Sequence, residues 1–424
     1  MSTTKSARRR GGRAAVRVVS LVALATVLPS CATAHHTTAG AATCAARVTA
    51  AHRSLPGPAP ADPATIRGDD SLRGGFDAAP LRQIHTVRWR SGAMTEPSRS
   101  FVASASSLVV SDDPYLCAVD LATGALRWSR HTPRLTGTPS VSGSRVLLAS
   151  SDRPSLQVFD LRDGRLLWQV QTGPGAAGFP QFAVGAGSTV YATGPTGVTA
   201  YDAGTGHTLW HDQIAGASAG LAIGGGTSGT SGATVYVVDG TGVLHALDAA
   251  RGAARWNQPV ASGARLSEVD GGIVLVSGTD LRALDAATGT PRWAYPRATV
   301  PGGVAADAAA VYVETATSGL YALAPATGRE LWSIPEPIQA HFNTGPSITV
   351  GLLYVGDDHG DLHGFDLGDR KELWRFEASL LPGESTPGNP HPMTTHREFV
   401  GGPLVVARGT VFAADVSGVI YALS

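Results

Sequence analysis

Eight tryptophans occur in the 424-residue sequence, and all eight fall in one register. Trp89, Trp128, Trp168, Trp210, Trp256, Trp293, Trp332 and Trp374 follow one another at intervals of 39, 40, 42, 46, 37, 39 and 42 residues. Seven of them close a nine-residue motif. It reads DLATGALRW at 120–128, DLRDGRLLW at 160–168, DAGTGHTLW at 202–210, DAARGAARW at 248–256 and DAATGTPRW at 285–293. APATGRELW at 324–332 lacks the aspartate, and DLGDRKELW at 366–374 lacks the glycine. A period near 40 residues constrains the fold before any local reading does, because each repeat must then be one supersecondary unit stacked on its neighbours.

One unit, residues 346–377, shows what is repeated. Pro346 to Val350 and Leu352 to Val355 are short apolar runs, broken from Leu362–Phe365 by the turn cluster GDDHGD. A tight turn separates that run from Glu372–Phe376. Four short strands punctuated by turn residues, with no helical periodicity after residue 45, describe an antiparallel propeller blade. The spacing predicts an all-β, eight-bladed β-propeller of four-stranded antiparallel blades. Seven blades are placed near 101–130, 139–170, 178–212, 218–258, 264–296, 300–334 and 342–377. The eighth has to be assembled from both ends, because the chain stops at VFAADVSGVIYALS (411–424) before any Asp-turn-Trp strand, while Trp89 has no blade before it. Residues 84–91, with Val87–Arg90 as the outer strand, are expected to complete 398–424 and so close the sheet edge.

The repeated motif has a structural role in this reading. Asp120, Asp160, Asp202, Asp248, Asp285 and Asp366 open the turn between third and fourth strands, where a carboxylate accepts backbone N–H groups two or three residues on. Gly124, Gly164, Gly206, Gly252, Gly289 and Gly328 take the position of positive φ. The Trp that follows is expected to wedge between blades. Burying ~200 Å² of ring at ~25 cal/mol/Å² contributes about 5 kcal/mol gross per site.

The ends read differently. Residues 1–30 carry Lys5, Arg8, Arg9, Arg10, Arg13 and Arg17 before VVSLVALATVL, an apolar core of 11 residues (18–28) that is too short to span a bilayer. They read as an export signal. Leu28-Pro29-Ser30-Cys31 resembles a lipobox, which would make Cys31 the acylated residue and anchor the protein to the outer face of the cytoplasmic membrane; ordinary cleavage near Ala34, with secretion, is the alternative. Residues 31–83, rich in Ala, Pro, Thr and Gly, read as a tether, and 84–424 as the propeller. Cys44 and Cys117 are left to pair in an oxidising exterior if Cys31 is acylated, or Cys117 is a free thiol. It stands in a variable third-strand column with Gln157, Thr199, His245, Arg282, Tyr321, His363 and Tyr421, where His245 and His363 are expected to be partly exposed. Without residues 1–30, 27 basic residues face 33 acidic ones, a net of −6, with no basic stripe, which excludes a nucleic-acid partner.

LRALDAATGTPRW (281–293) and LYALAPATGRELW (320–332) carry the pattern LxALDxxTGxxxW, which resembles the PQQ-binding-like β-propeller repeat over residues 84–424. The resemblance implies one of two branches. Quinoprotein dehydrogenases, oxidising alcohols or sugars, hold pyrroloquinoline quinone and calcium over the ring axis; many stack the quinone on a disulfide of adjacent cysteines, and they use Asn and carboxylate ligands and an Asp base. BamB-like propellers are non-catalytic, often lipid-anchored scaffolds. No adjacent cysteines occur here, and the asparagines are only Asn257, Asn343 and Asn389. The expected function is therefore an exported, lipid-anchored interaction scaffold or ligand-binding module without cofactor or catalytic residue, its partner on the connector face. A PQQ- and calcium-dependent dehydrogenase is the alternative. The connector 377–398, with His391 and His396, and the preceding one, with His341, offer three histidines near one mouth; solvated loop histidines are the plainer reading. GGGTSGTSG (224–232) precedes no helix, so it is not a phosphate cradle.

Overall fold

In a computed structural model the chain is all-β. Residues described are 49–50, 79–84, 86–91, 101–378 and 404–424, apart from 113, 133–138, 151–154, 173–181, 185–187, 195, 215, 218–219, 225–231, 271, 298–302, 316–318, 337–339 and 416–417. Eight antiparallel sheets follow one another along the chain as the blades of a propeller. Blade 1 is Phe101–Ala103, Ser107–Asp112, Tyr115–Asp120 and Leu126–His131; blade 7 is Ser347–Thr349, Leu352–Gly356, Asp361–Asp366 and Glu372–Glu377. The first strand of each blade touches the first strands of its neighbours, around to the contact of Phe101–Ala103 with Val405–Ala407, which closes the ring.

Blade 8 is built as expected from the two chain ends. Val405–Ala407, Thr410–Ala414 and Ile420–Leu423 are joined by Val87–Arg90, which pairs antiparallel with Ile420–Leu423. A strand not foreseen, Thr49–Ala50, pairs in turn with Arg90 and Trp89, so among the described residues this sheet has five strands and the others four. Leu81 is also buried against the ring. Both pieces belong to the stretch 31–83 that reads as a tether.

Every outer strand carries a β-bulge one residue before its tryptophan. A bulge adds local twist, and here the indole is turned onto the next blade. Trp128 Nε1 donates to Leu161 O at 2.8 Å, Trp168 to Ala203 O, Trp210 to Ala249 O, Trp256 to Ala286 O and Trp293 to Pro325 O. Each acceptor is the residue after the motif's first position in the following blade. The glycine of that turn lies under the ring: a Cβ on Gly164 would stand 2.6 Å from Trp128. Gly124, Gly164, Gly206, Gly252, Gly289 and Gly328 all have φ between 67° and 74°. The two defective repeats are repaired locally. Ala324 keeps the backbone bond from Gly328 N to Ala324 O, and Arg370 adopts φ 65° in the missing glycine's place, its guanidinium 5.9 Å from the Trp332 ring centroid.

Candidate functional site on the connector face

Antiparallel order puts the Asp-Gly turns on one face of the ring. The turns between second and third strands lie on the other face, with the blade-to-blade connectors. On this connector face several turns are closed by a further aspartate. Asp239 Oδ1 accepts from Thr241 N and Val243 N, Asp357 Oδ1 from His359 N and Asp361 N, and Asp415 Oδ1 from Val419 N. The free Oδ2 then reaches the variable column of the third strand, six residues on. Asp239 meets His245 Nε2 at 2.9 Å, Asp357 meets His363 Nε2 at 3.2 Å, and Asp415 accepts from Tyr421 Oη at 3.0 Å. Burial pushes the Asp239 carboxyl up, but bonds from His245, Val243 and Thr241 outweigh it and hold it at about 2.

Blade 7 elaborates this arrangement into a cluster of ionisable groups around His363. His363 lies between two carboxylates, with Glu372 Oε1 2.8 Å from Nδ1 on the other side. Arg375 Nε and Nη2 bind Glu372, and Nη1 stands 3.3 Å from Asp361 Oδ2. The connector folds down over the cluster. Phe342 packs edge-on to His363 at 5.5 Å between ring centroids and edge-on to Phe365 at 6.3 Å, while Phe365 stacks on His363 at 5.9 Å. Asp358 Oδ1 accepts from His341 N, tying connector to turn. Burial raises the Asp361 carboxyl, and the charge of Asp357 adds to this. Asp357 itself is held below the ordinary range: burial opposes this, but the His363 and Asp361 N–H bonds win.

Expectation and structure differ at His363. The column position reads as partly exposed from sequence, which describes His245, but the His363 side chain is 1% exposed. The cause is Phe342, which belongs to the connector and cannot be assigned to that position by strand alternation. His341 is exposed and pairs through Nδ1 with Glu336 Oε2 at 2.9 Å; that hydrogen bond and the carboxylate's charge raise its pKa. His391 and His396 lie outside the described residues, so the three-histidine mouth is not assembled among them. Cys117 is buried and disulfide-bonded; Cys31 and Cys44 lie outside the described residues. The chain holds no fourth cysteine.

On the Asp-Gly face, the seam between blades 8 and 1 holds a pocket of about 80 Å³ lined by Arg88, Asp120, Arg127 and Arg408. Asp120 Oδ2 takes Arg127 at 2.6 Å.

The residues described do not fit pyrroloquinoline quinone with calcium. Asn257 is on the outer strand of blade 4, its Oδ1 3.1 Å from His245 Nδ1, and Asn343 is on the blade 6–7 connector; Asn389 is outside the described residues. Cys117 sits on a third strand with no adjacent cysteine. The inner strands Phe101–Ala103, Val304–Ala306 and Val405–Ala407 are buried and apolar throughout.

The family model described as outer membrane protein assembly factor BamB matches residues 83–220, 195–336 and 280–424, which spans all eight blades. The chain belongs to this family. Its BamB-like ring superposes on BamB from Moraxella catarrhalis with a TM-score of 0.58 at 16% identity, covering 81% of this chain and 99% of that one. It also superposes on the quinohemoprotein alcohol dehydrogenase from Comamonas testosteroni, with a TM-score of 0.61 at 14% identity over 85% and 80% of the two chains. At these identities the likeness is one of fold. In sequence, this BamB-family chain is 32% identical to the serine/threonine-protein kinase AfsK of Streptomyces coelicolor over 57% of its length, which is 31% of the kinase. It therefore spans about a third of that relative.

Proposed function

We propose that this BamB-family propeller is an exported, lipid-anchored interaction scaffold whose partner docks on the connector face and the outer blade edges. The observation that carries the reading is the pairing of Thr49–Ala50 with Trp89 and Arg90. An outer strand that already takes an extra strand in antiparallel register has its backbone donors and acceptors disposed for strand addition, a common way of holding an extended peptide. The charged turns of the connector face, Asp358 and His359 among them, stand on a rigid ring beside long connectors, where binding groups concentrate. The family description supports a protein partner at a membrane, and the disulfide at Cys117 supports an oxidising compartment.

The test is affinity capture of the full chain from membranes, with mass spectrometry of what is retained. A reproducible protein partner that competes for the connector face sustains the reading. Reduction of a redox dye with alcohols or sugars, only after adding pyrroloquinoline quinone and calcium, would replace it with the dehydrogenase reading. Anchoring is tested separately: Cys31→Ala should move the protein from the membrane to the soluble fraction, and unchanged fractionation would remove the lipid.

A further inference from the structure

The connector-face turn of blade 7 departs from those of blades 4 and 8 in one residue that the turn does not require. The turns Asp239–His245 and Asp415–Tyr421 are closed in the same way as Asp357–His363, and the residue that donates its N–H four positions on is Val243 or Val419. In blade 7 that residue is Asp361. Only its backbone is needed for the turn, yet its side chain brings a second carboxylate against Asp357. Carboxylate oxygens of Asp357 and Asp361 and a ring nitrogen of His363 all lie within 4.8 Å of one another. Placing like charges together in a half-buried position costs stability.

His363 supplies an independent argument. Its side chain is 99% buried, and both ring nitrogens face carboxylate oxygens. A neutral imidazole has one N–H and satisfies one of them. Glu372 at 2.8 Å is the closer partner and takes the Nδ1 proton; Asp357, at 3.2 Å, is left facing Nε2. Asp357 Oδ2 and His363 Nε2 thus face one another across 3.2 Å, a gap that one cation can bridge. A carboxylate accepting the far N–H of an imidazole is the arrangement that holds a metal-ligating histidine in the correct tautomer. Around a neutral imidazole, the carboxylates of Asp357, Asp361 and Glu372 and the guanidinium of Arg375 leave a net charge of −2, which one divalent ion cancels.

We infer that Asp357, Asp361 and His363 Nε2 bind a divalent transition-metal ion of the zinc or manganese class, with Glu372 as the proton-accepting support on Nδ1. One imidazole and two carboxylates suit these ions better than calcium, which wants six or more oxygens. Metal entry draws Asp361 away from Arg375, which keeps Glu372. The site stands at a turn of the connector face, where Phe342 forms a backbone bridge to Asp357.

Calorimetric titration of the chelator-treated full chain with zinc sulfate and manganese chloride tests this. One equivalent should bind and raise the melting temperature. Asp361→Val, the residue of blades 4 and 8, should leave the metal-free melting temperature within a few degrees and weaken binding by at least the roughly 10–100-fold that loss of a supporting group costs. His341→Ala should change neither. Absence of binding overturns the inference, as does binding that survives Asp361→Val or is lost in His341→Ala. Long-range ¹⁵N spectra of His363 give a second readout. Loss of the Nε2 proton signal at one equivalent of zinc supports the site; an imidazolium with both protons at saturating zinc overturns it.

Discussion

Trp374 donates its indole Nε1–H to the carbonyl of Leu81 at 2.7 Å, across 293 residues of chain. In most other blades the acceptor is the second residue of the next Asp-Gly turn. Blade 8 has no such turn, because its third and fourth strands come from opposite ends of the sequence. Leu81 stands in for it, and its own N–H is bonded to Tyr354 Oη at 2.9 Å. Arg82 adds an ion pair to Asp366 at 2.7 Å. The ring is thus closed twice by the same segment: by Val87–Arg90 in the sheet, and by Leu81 at the seam with blade 7.

A protein beginning at residue 95 should be insoluble, or melt far below the full chain. It loses the burial of Trp89, about 5 kcal/mol gross, and exposes a sheet edge. Trp374→Phe is the milder test. It keeps an aromatic ring against Tyr354 but removes the indole donor to the Leu81 carbonyl, at a cost of about 1–3 kcal/mol in chemical denaturation. Equal stability of truncated and full chains would show that the segment adds nothing.

Gly164→Ala should be destabilising by about 2–4 kcal/mol. The residue has φ 69°, and its new Cβ would meet the Trp128 ring at 2.6 Å, so backbone strain and overpacking add. Gly143→Ala is the control: φ is 54° but nothing stands within 4 Å, so only the backbone cost should appear. Denaturant midpoints of the two variants separate the indole contact from the conformation.

Ala324→Asp should stabilise blade 6. Asp120, Asp202, Asp248, Asp285 and Asp366 each accept two backbone N–H bonds at this turn position, while Ala324 has no side chain to do so. A gain of about 0.5–1.5 kcal/mol, the usual net worth of such a bond, is expected in thermal or urea unfolding.

Asp285 is held at about 2 by its hydrogen bond to Arg292 at 2.6 Å, then by Thr288 and backbone N–H groups. A carboxylate whose folded pKa lies below its unfolded value of 3.8 contributes stability that is complete above that value and is lost as pH falls toward 2. The difference in melting temperature between the native chain and Asp285→Asn should therefore shrink between pH 4 and pH 2 and be flat above pH 5. A difference that is constant over this range would mean the charge is not what Arg292 recognises.

The eight-bladed ring was legible from residue spacing. Asp and Gly close most of the turns by local hydrogen bonds and the Trp follows at a fixed spacing, so each repeat leaves a local signature. Closure between Val87–Arg90 and the last blade was legible for the same reason, since Trp89 keeps the register without a blade of its own. What escaped was set by segments distant in the chain. Leu81 as an acceptor, Thr49–Ala50 on the edge of blade 8, and Arg370 over Trp332 depend on which surface a neighbour presents. The site was less legible than the fold. His363 occupies the same column as His245, and strand alternation treats the two alike. Only the fold places Phe342 over one of them and surrounds it with Asp357, Asp361 and Glu372. Periodicity records what each blade does for itself; burial and charge at a given side chain are decided by what packs on it from elsewhere.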